Sequence, residues 1–520
     1  MSYKVIQKNK ENYYLYEVTA TWDPEKKKNI QSRKYLGKCD EHGILVKTPS
    51  KTVDCIEFGR GFVFYSVLKQ IGLDRKLEDV FGKKNADILK GFGIMTSSRD
   101  HPISQMPDLI NDTVIPRLIK TEQAIDKKRL ADTLIECNHK KEDLFRTMLE
   151  GTKVTVYAVD HVPVPYQMRW RFITEQDYGY IYTPEFTTYI GICDETGLPC
   201  YYKRIYEKIS QPETVVRIKD ELRTLGATEI CFVFDHKKGN INSLKELIEK
   251  RIDFVCPAYP DTDFYESILK RSSDVLTGGG KTELLFGEIC KFSETEERIG
   301  DKQIHVLTYL NIKRYQNEAR IVFTRGREFR KTLKDMKWSD DLMYKLANDY
   351  GYSDMLPFYS LTKTENGNIG CAERQGLIDR ADLSWGKTIL LTNTNMSWEK
   401  AAEYEVMHGW FDMEMYKLRE NLPFISNMFH SYPESESTMI LEFVSFAVRL
   451  TINNRLLEIQ DYQHSVQDLV DGLNGICIYK TDNKWGICGI NEVHSRILSI
   501  LGIELPKDSE IGNIMCNEGN

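Results

Sequence analysis

The sequence predicts an α/β fold: a mixed sheet flanked by helices, interrupted by a β-rich insertion and preceded by a small mixed N-terminal region. Three observations predict it. Two apolar runs, KVTVYAVD (Lys153 to Asp160) and EICFVFD (Glu229 to Asp235), each end in a carboxylate. Amphipathic helical stretches separate them and follow them, and runs that are apolar on both faces suit central strands covered on both sides. Finally, β-like runs between about residues 266 and 395 break this α/β alternation before a strongly helical stretch resumes at Ser397.

Taken in order, NYYLYEVTATW and NIQSRKYLG flank the turn-forming DPEKKK and read as a hairpin within residues 1–60. Residues 61–150 read as helical: FVFYSVLKQIG closes at Gly72, and LADTLIECNHKKEDLFRTML is amphipathic. Residues 151–265 carry the order β-β-β-α-β-α-β. Ser210, Pro212 and Glu213 start the first of these helices, Val215, Ile218, Leu222 and Leu225 share its face, and Gly226 ends it. Within the 266–395 insertion, KQIHVLTYL, ARIVFT and KTILLTN look like strands. Residues 396–455 are helical, and 456–520 form a short mixed end.

A chain of 520 residues is long enough for two to four folded units. It has no apolar run of about 18 residues that would span a bilayer. Its first residues, MSYKVIQKNKENYY, lack the apolar stretch of a signal peptide. The twelve cysteines are scattered singly, without CxxC pairs, so reduced thiols in a cytoplasmic protein are expected rather than structural zinc. The net charge of -7 argues against nucleic acid as a partner of the whole surface. Residues 1–50 nevertheless hold ten Lys or Arg against six Asp or Glu, with Lys26, Lys27, Lys28, Arg33, Lys34 and Lys38 close together. This segment reads equally as a DNA contact and as a solvated face.

A carboxylate at the end of a buried strand costs solvation energy unless a cation or hydrogen bonds receive it. Asp160 and Asp235, on strands expected to be neighbours, therefore point to a site for hard divalent ions, Mg²⁺ or Mn²⁺. The absence of clustered Cys or His argues against softer metals. The competing reading makes each aspartate a turn former or helix cap. His161 and His236 follow the two aspartates, and Lys237 and Lys238 follow the second, within reach of a DNA backbone. GGGKT (Gly278 to Thr282) lacks the preceding glycine of a phosphate loop and reads as a turn. Trp338 and Trp385 read as core residues.

The strand order with Asp on the first and fourth strands is similar to the RNase H-like fold of retroviral integrases and DDE transposases. Within that group the chain resembles insertion-sequence transposases whose third carboxylate follows a β-rich insertion. The resemblance is carried by NYYLYEVTATWDPEKKKNIQSRKYLGK, FGRGFVFYSVLKQIGLDRKLEDVFG, YAVD, FVFDHKKGNINSLKELI and LLTNTNMSWEKAAEYE. In that family a helix carries Tyr, two residues, Arg, three residues, Glu, six residues and Lys along one face. Here Tyr404 is followed at those intervals by the apolar Met407, Phe411 and Leu418, whereas a slide of one residue brings His408, Asp412 and Arg419 into place. Asp412 then stands for the glutamate and His408 for the arginine, with Glu414 as the fallback in another helix register.

The resemblance implies an enzyme that cuts and joins the DNA ends of an insertion sequence. Asp160 would bridge two ions, with Asp235 and Asp412 each completing one shell. It also implies DNA contacts from Tyr404, His408 and Arg419, double-stranded terminal inverted repeats and target DNA as partners, and a homodimer when the ends are synapsed. In a prokaryote the protein would lie with the nucleoid. Two alternatives stay open: a decayed or repurposed copy that binds DNA without cutting, and an RNase H-like host nuclease.

Overall fold

The computed structural model describes residues 2–9, 12–23, 28–43, 55–98, 105–121, 125–163, 186–205, 212–260, 262–285, 287–418, 439–457, 465–481 and 484–516. Strands β1 (Ser2–Asn9), β2 (Asn12–Asp23) and β3 (Lys28–Cys39) form a three-stranded antiparallel sheet. The expected hairpin thus gains a strand ahead of it. After β4 (Cys55–Glu57) come α1 (Gly59–Gln70), α2 (Leu73–Phe81), α3 (Lys83–Ser98), α4 (Met106–Asn111), α5 (Ile115–Leu118) and α6 (Lys127–Leu149). Gly72 sits at φ 70° between the first two helices, a conformation that L side chains adopt with strain.

The expected β-β-β-α-β-α-β order follows as β5 (Lys153–Pro163), β6 (Phe186–Asp194), β7 (Pro199–Ile205), α7 (Pro212–Thr224), β8 (Glu229–Val233), α8 (Ile241–Glu249) and β9 (Asp253–Pro257). Ser210, the expected start of α7, lies outside the described residues. Then come α9 (Asp263–Gly278), β10 (Lys281–Leu285), β11 (Glu288–Ile299), β12 (Lys302–Asn311), α10 (Ile312–Lys334), α11 (Leu342–Asn348), β13 (Tyr359–Lys363), β14 (Ile369–Glu373), α12 (Gln375–Ser384) and β15 (Lys387–Thr392). Gly278 to Thr282 spans the passage from α9 into β10, whose turn is Gly279 and Gly280. The chain closes with α13 (Trp398–Leu418), α14 (Met439–Leu457), α15 (Val466–Leu473), β16 (Cys477–Thr481), β17 (Lys484–Cys488), α16 (Glu492–Ile500) and α17 (Asp508–Cys516). Strands β16 and β17 form a hairpin, and β16 also pairs with β4, joining the two ends of the chain. Among the described residues no helix is long and apolar enough to cross a membrane.

Nine strands make the central sheet, in the order β10-β11-β12-β15-β9-β8-β5-β6-β7. Strands β5, β8 and β9 run parallel, and every other neighbouring pair is antiparallel. The insertion therefore does not stand as a separate β unit. Its β10 to β12 meander and β15 widen the sheet beyond β9, while its remainder is largely helical. ARIVFT, expected as a strand, lies inside α10. Asn311 caps that helix by accepting from the Arg314 N–H, and Val322, Phe329 and Leu333 take its inner side. The long helical spacing thus overrides a short β-prone run.

Alternation along the strands divides the interior in two. Val154, Val156, Ile230, Phe232, Phe254 and Cys256 face the core that holds α7, α8 and the helices of residues 59–149. Tyr157, Val233, Val255, Leu307 and Leu390 face the other side, which α13 covers with Trp398, Ala401, Ala402 and Phe411. The helices of residues 59–149 share that first core with α14 and the sheet. Trp338 and Trp385 are packed, Trp385 being 8% exposed, in line with their reading as core residues.

Candidate active site

Parallel pairing of β5 with β8 aligns Tyr157 with Val233, so Asp160 and Asp235 lie towards the same side of the sheet on adjacent strands. Asp235 follows the end of β8, but β5 runs on past Asp160 to Pro163 because it stays paired with β6, which corrects the expectation that the first strand ends in this carboxylate. The register of β5 against β6 shifts between Val159 and Val162. This irregularity falls on Asp160 and His161, and such bulges are frequent beside active sites. The side chains of Asp160 and His161 lie outside the described residues.

Asp235 begins a tight turn. Its Oδ1 accepts from the Lys237 N–H at 3.0 Å, and its Oδ2 lies 3.8 Å from the Lys237 ammonium. The turn-forming role considered for this residue is therefore realised, and it engages the backbone through one carboxylate oxygen. Gly239 seals the turn against the end of β9: a Cβ there would lie 2.0 Å from the Pro257 carbonyl oxygen. His236 is exposed and stacks on Tyr259 at 6.0 Å. Lys237 is exposed, but Lys238 is only 6% exposed, which corrects the expectation that both lysines face DNA. The close seat of Gly239 carries Lys238 into the packed end of the sheet.

Helix α13 crosses the sheet and brings the third expected carboxylate towards the same edge. Phe411 anchors it, stacked on Tyr157 at 5.8 Å and meeting Phe446 edge-on at 5.1 Å. The strand below makes room with Gly191, where a Cβ would fall 2.0 Å from the Phe411 ring. Asp412 follows and is exposed. His408 is half-buried, 6.5 Å from the Tyr157 ring. Tyr404 lies further back, where it lines a cleft with Lys153, Asp253 and Lys400 at the N-terminal ends of the parallel strands. The expected DNA contact of Tyr404 would therefore be made from that cleft. The Glu414 side chain and all of Arg419 lie outside the described residues. Among the described residues no three metal-ligating side chains gather. The donors in question are all carboxylates, which suit a hard divalent cation.

In the N-terminal sheet, Arg33 and Lys34 are exposed on β3. Lys26 and Lys27, with the Lys28 side chain, lie outside the described residues. Exposed Trp22 and Tyr35 accompany the two basic groups.

Sequence reading missed Glu405, one turn before His408 on α13. It is half-buried and accepts from the Tyr309 hydroxyl at 3.3 Å. Burial holds its carboxyl above the usual carboxylate range, against the opposing pull of that hydrogen bond and of Arg314. A carboxyl raised on folding makes the fold less stable as pH rises from its unfolded pKa through its folded one. Glu405→Gln keeps an acceptor for Tyr309, so its stability is expected to fall less than the wild type's across that window. Identical pH–stability curves for the two proteins, measured by denaturant unfolding, would remove this role.

No family model matches the chain, and no curated protein matches it. Among solved structures it is similar to a piggyBac transposase synaptic complex with hairpin DNA. The likeness is faint. It has 10% identity and a TM-score of 0.30, and covers 89% of this chain and 86% of that one.

Proposed function

We propose that this chain is a divalent-metal-dependent DNA transposase of RNase H-like architecture, cutting and joining the ends of an insertion sequence. One observation carries the reading. In its support, the order β7-β6-β5-β8-β9 with β5 and β8 parallel brings the backbone at Asp160 and Asp235 towards the same side of the sheet, and α13 packs against these strands. This is the arrangement expected of an RNase H-like carboxylate site.

Asp160, Asp235 and Asp412 would hold the metal, which when bound supplies a Lewis acid and an activated water for phosphodiester cleavage. The chain's own residues prepare that site. The Lys237 N–H fixes the Asp235 carboxylate by one oxygen, and Phe411 sets how far α13 advances over β5. Exposed Lys237 and His236 flank the edge where a phosphate would lie.

The test is strand nicking with Mg²⁺ of a duplex ending in the inverted repeats that flank the gene. Repeat-specific nicking is expected. Equal cutting of a random duplex would favour a host nuclease, and no cutting despite binding would favour a descendant that only binds DNA. That last reading draws on Asp412, whose side chain is one methylene shorter than the glutamate of the resembling family. Asp412→Ala is expected to lose cleavage by roughly 10³-fold, the loss of several kcal/mol of charge stabilisation, while Glu414→Gln stays active. The reverse pair of results would move the third carboxylate to Glu414.

A further inference from the structure

Helix α10 is the most basic element of an acidic chain, with eight Lys or Arg against two Glu in its 23 residues. Some of this charge is spent within the fold. Arg325 pairs with Asp354 at 2.7 Å, Arg330 with Glu373, Arg314 with Glu318 at 3.6 Å and Lys313 with Glu288 at 3.0 Å. Arg320, Arg327, Lys331 and Lys334 are exposed, and among the described residues none of them forms an ion pair with an acidic group. They recur at intervals of seven, four and three residues, which places them on one face of a helix. From Arg320 to Lys334 the ridge is on the order of 21 Å long, at about 1.5 Å per residue.

The sheet aims this helix. Strand β12 runs in the same direction as β9, because β15 lies antiparallel between them. Asn311, the last residue of β12 and the cap of α10, therefore emerges on the same side of the sheet as Asp235, about four residues, roughly 13 Å, further along the strand direction. Only β15 and β9 separate β12 from β8, a lateral distance of roughly 14 Å at about 4.8 Å per strand. A basic ridge rooted on the carboxylate side of the sheet is complementary to a polyanion that reaches that side.

We propose that the outer face of α10 is a sequence-independent docking ridge for the phosphate backbone of duplex DNA, with Arg320, Arg327, Lys331 and Lys334 as its contacts. The choice of DNA rests on the transposase reading; the ridge itself rests on the charge pattern. Backbone contacts position a duplex without reading its bases, and each neutralised phosphate releases counterions.

The experiment is a salt titration of full-length protein with a labelled random-sequence duplex. The variant Arg327→Gln/Lys331→Gln/Lys334→Gln is compared with a matched change of three exposed lysines elsewhere, Lys127→Gln/Lys128→Gln/Lys140→Gln. The triple variant is expected to bind more weakly at every salt concentration. Its slope of log affinity against log salt should be shallower by about one per lost contact, roughly three in all, with the control unchanged. An unchanged slope, or an equal change in the control, would overturn the ridge. A slope change in the triple variant together with wild-type protein that never cuts with Mg²⁺ would sink the transposase reading and leave the ridge standing. Cutting with an unchanged slope would do the opposite.

Discussion

Asp235→Asn is expected to lower metal-dependent cleavage by roughly 10³-fold or more, since an ion held by this carboxylate is worth several kcal/mol of transition-state charge stabilisation. The asparagine oxygen still accepts from the Lys237 N–H, so the turn should survive and thermal unfolding should hardly move. Asp235→Ala removes that acceptor as well, and a further loss of about 0.5–2 kcal/mol of stability is expected from the lost cap. The two variants separate the structural role of the side chain, visible at 3.0 Å from the backbone N–H, from its proposed chemical one. Asp160→Asn is expected to match Asp235→Asn in rate. Wild-type cleavage by either asparagine variant, with Mg²⁺ saturating, would end the carboxylate assignment.

Phe411→Ala is expected to cost about 3–5 kcal/mol, the usual range for removing a buried aromatic ring. The ring is 1% exposed and is gripped from three sides by Tyr157, Phe446 and the glycine gap at Gly191. Denaturant unfolding reads the loss, and a change below about 1 kcal/mol would mean that α13 is not anchored there. Gly191→Ala attacks the same contact from the strand, driving a Cβ to 2.0 Å from the ring. Combining Gly191→Ala with Phe411→Leu should therefore cost less than the sum of the two changes, with a coupling of roughly 0.5–3 kcal/mol. Strict additivity would show that the ring and the glycine do not share one space.

Much of the central architecture was legible without coordinates. KVTVYAVD and EICFVFD are apolar on both faces, which only a strand covered on both sides tolerates, and both appear in the middle of the sheet. The α7 positions Val215, Ile218 and Leu222 are buried as their spacing required. Reading failed where the signal was short or non-local. ARIVFT has the composition of a strand, yet the cap at Asn311 and the inner face through Phe329 and Leu333 make it helix. Lys238 looked like its neighbour Lys237, because nothing in their order reports that Gly239 packs against the end of β9.

Local pattern by itself determined which segments are strands and helices near the two aspartates, since periods of 2.0 and 3.6 residues are set within a few neighbours. It also placed Asp235 just past a strand end, whereas β5 runs three residues beyond Asp160. Only the tertiary structure decided that β12 and β15 join the same sheet, so that the basic helix α10 starts on the same side of the sheet as the aspartates, and that Phe411 over Gly191 sets the reach of α13. Those outcomes depend on contacts between residues far apart in the chain, where pairing and close packing rather than local propensity choose among arrangements that the sequence pattern leaves equal.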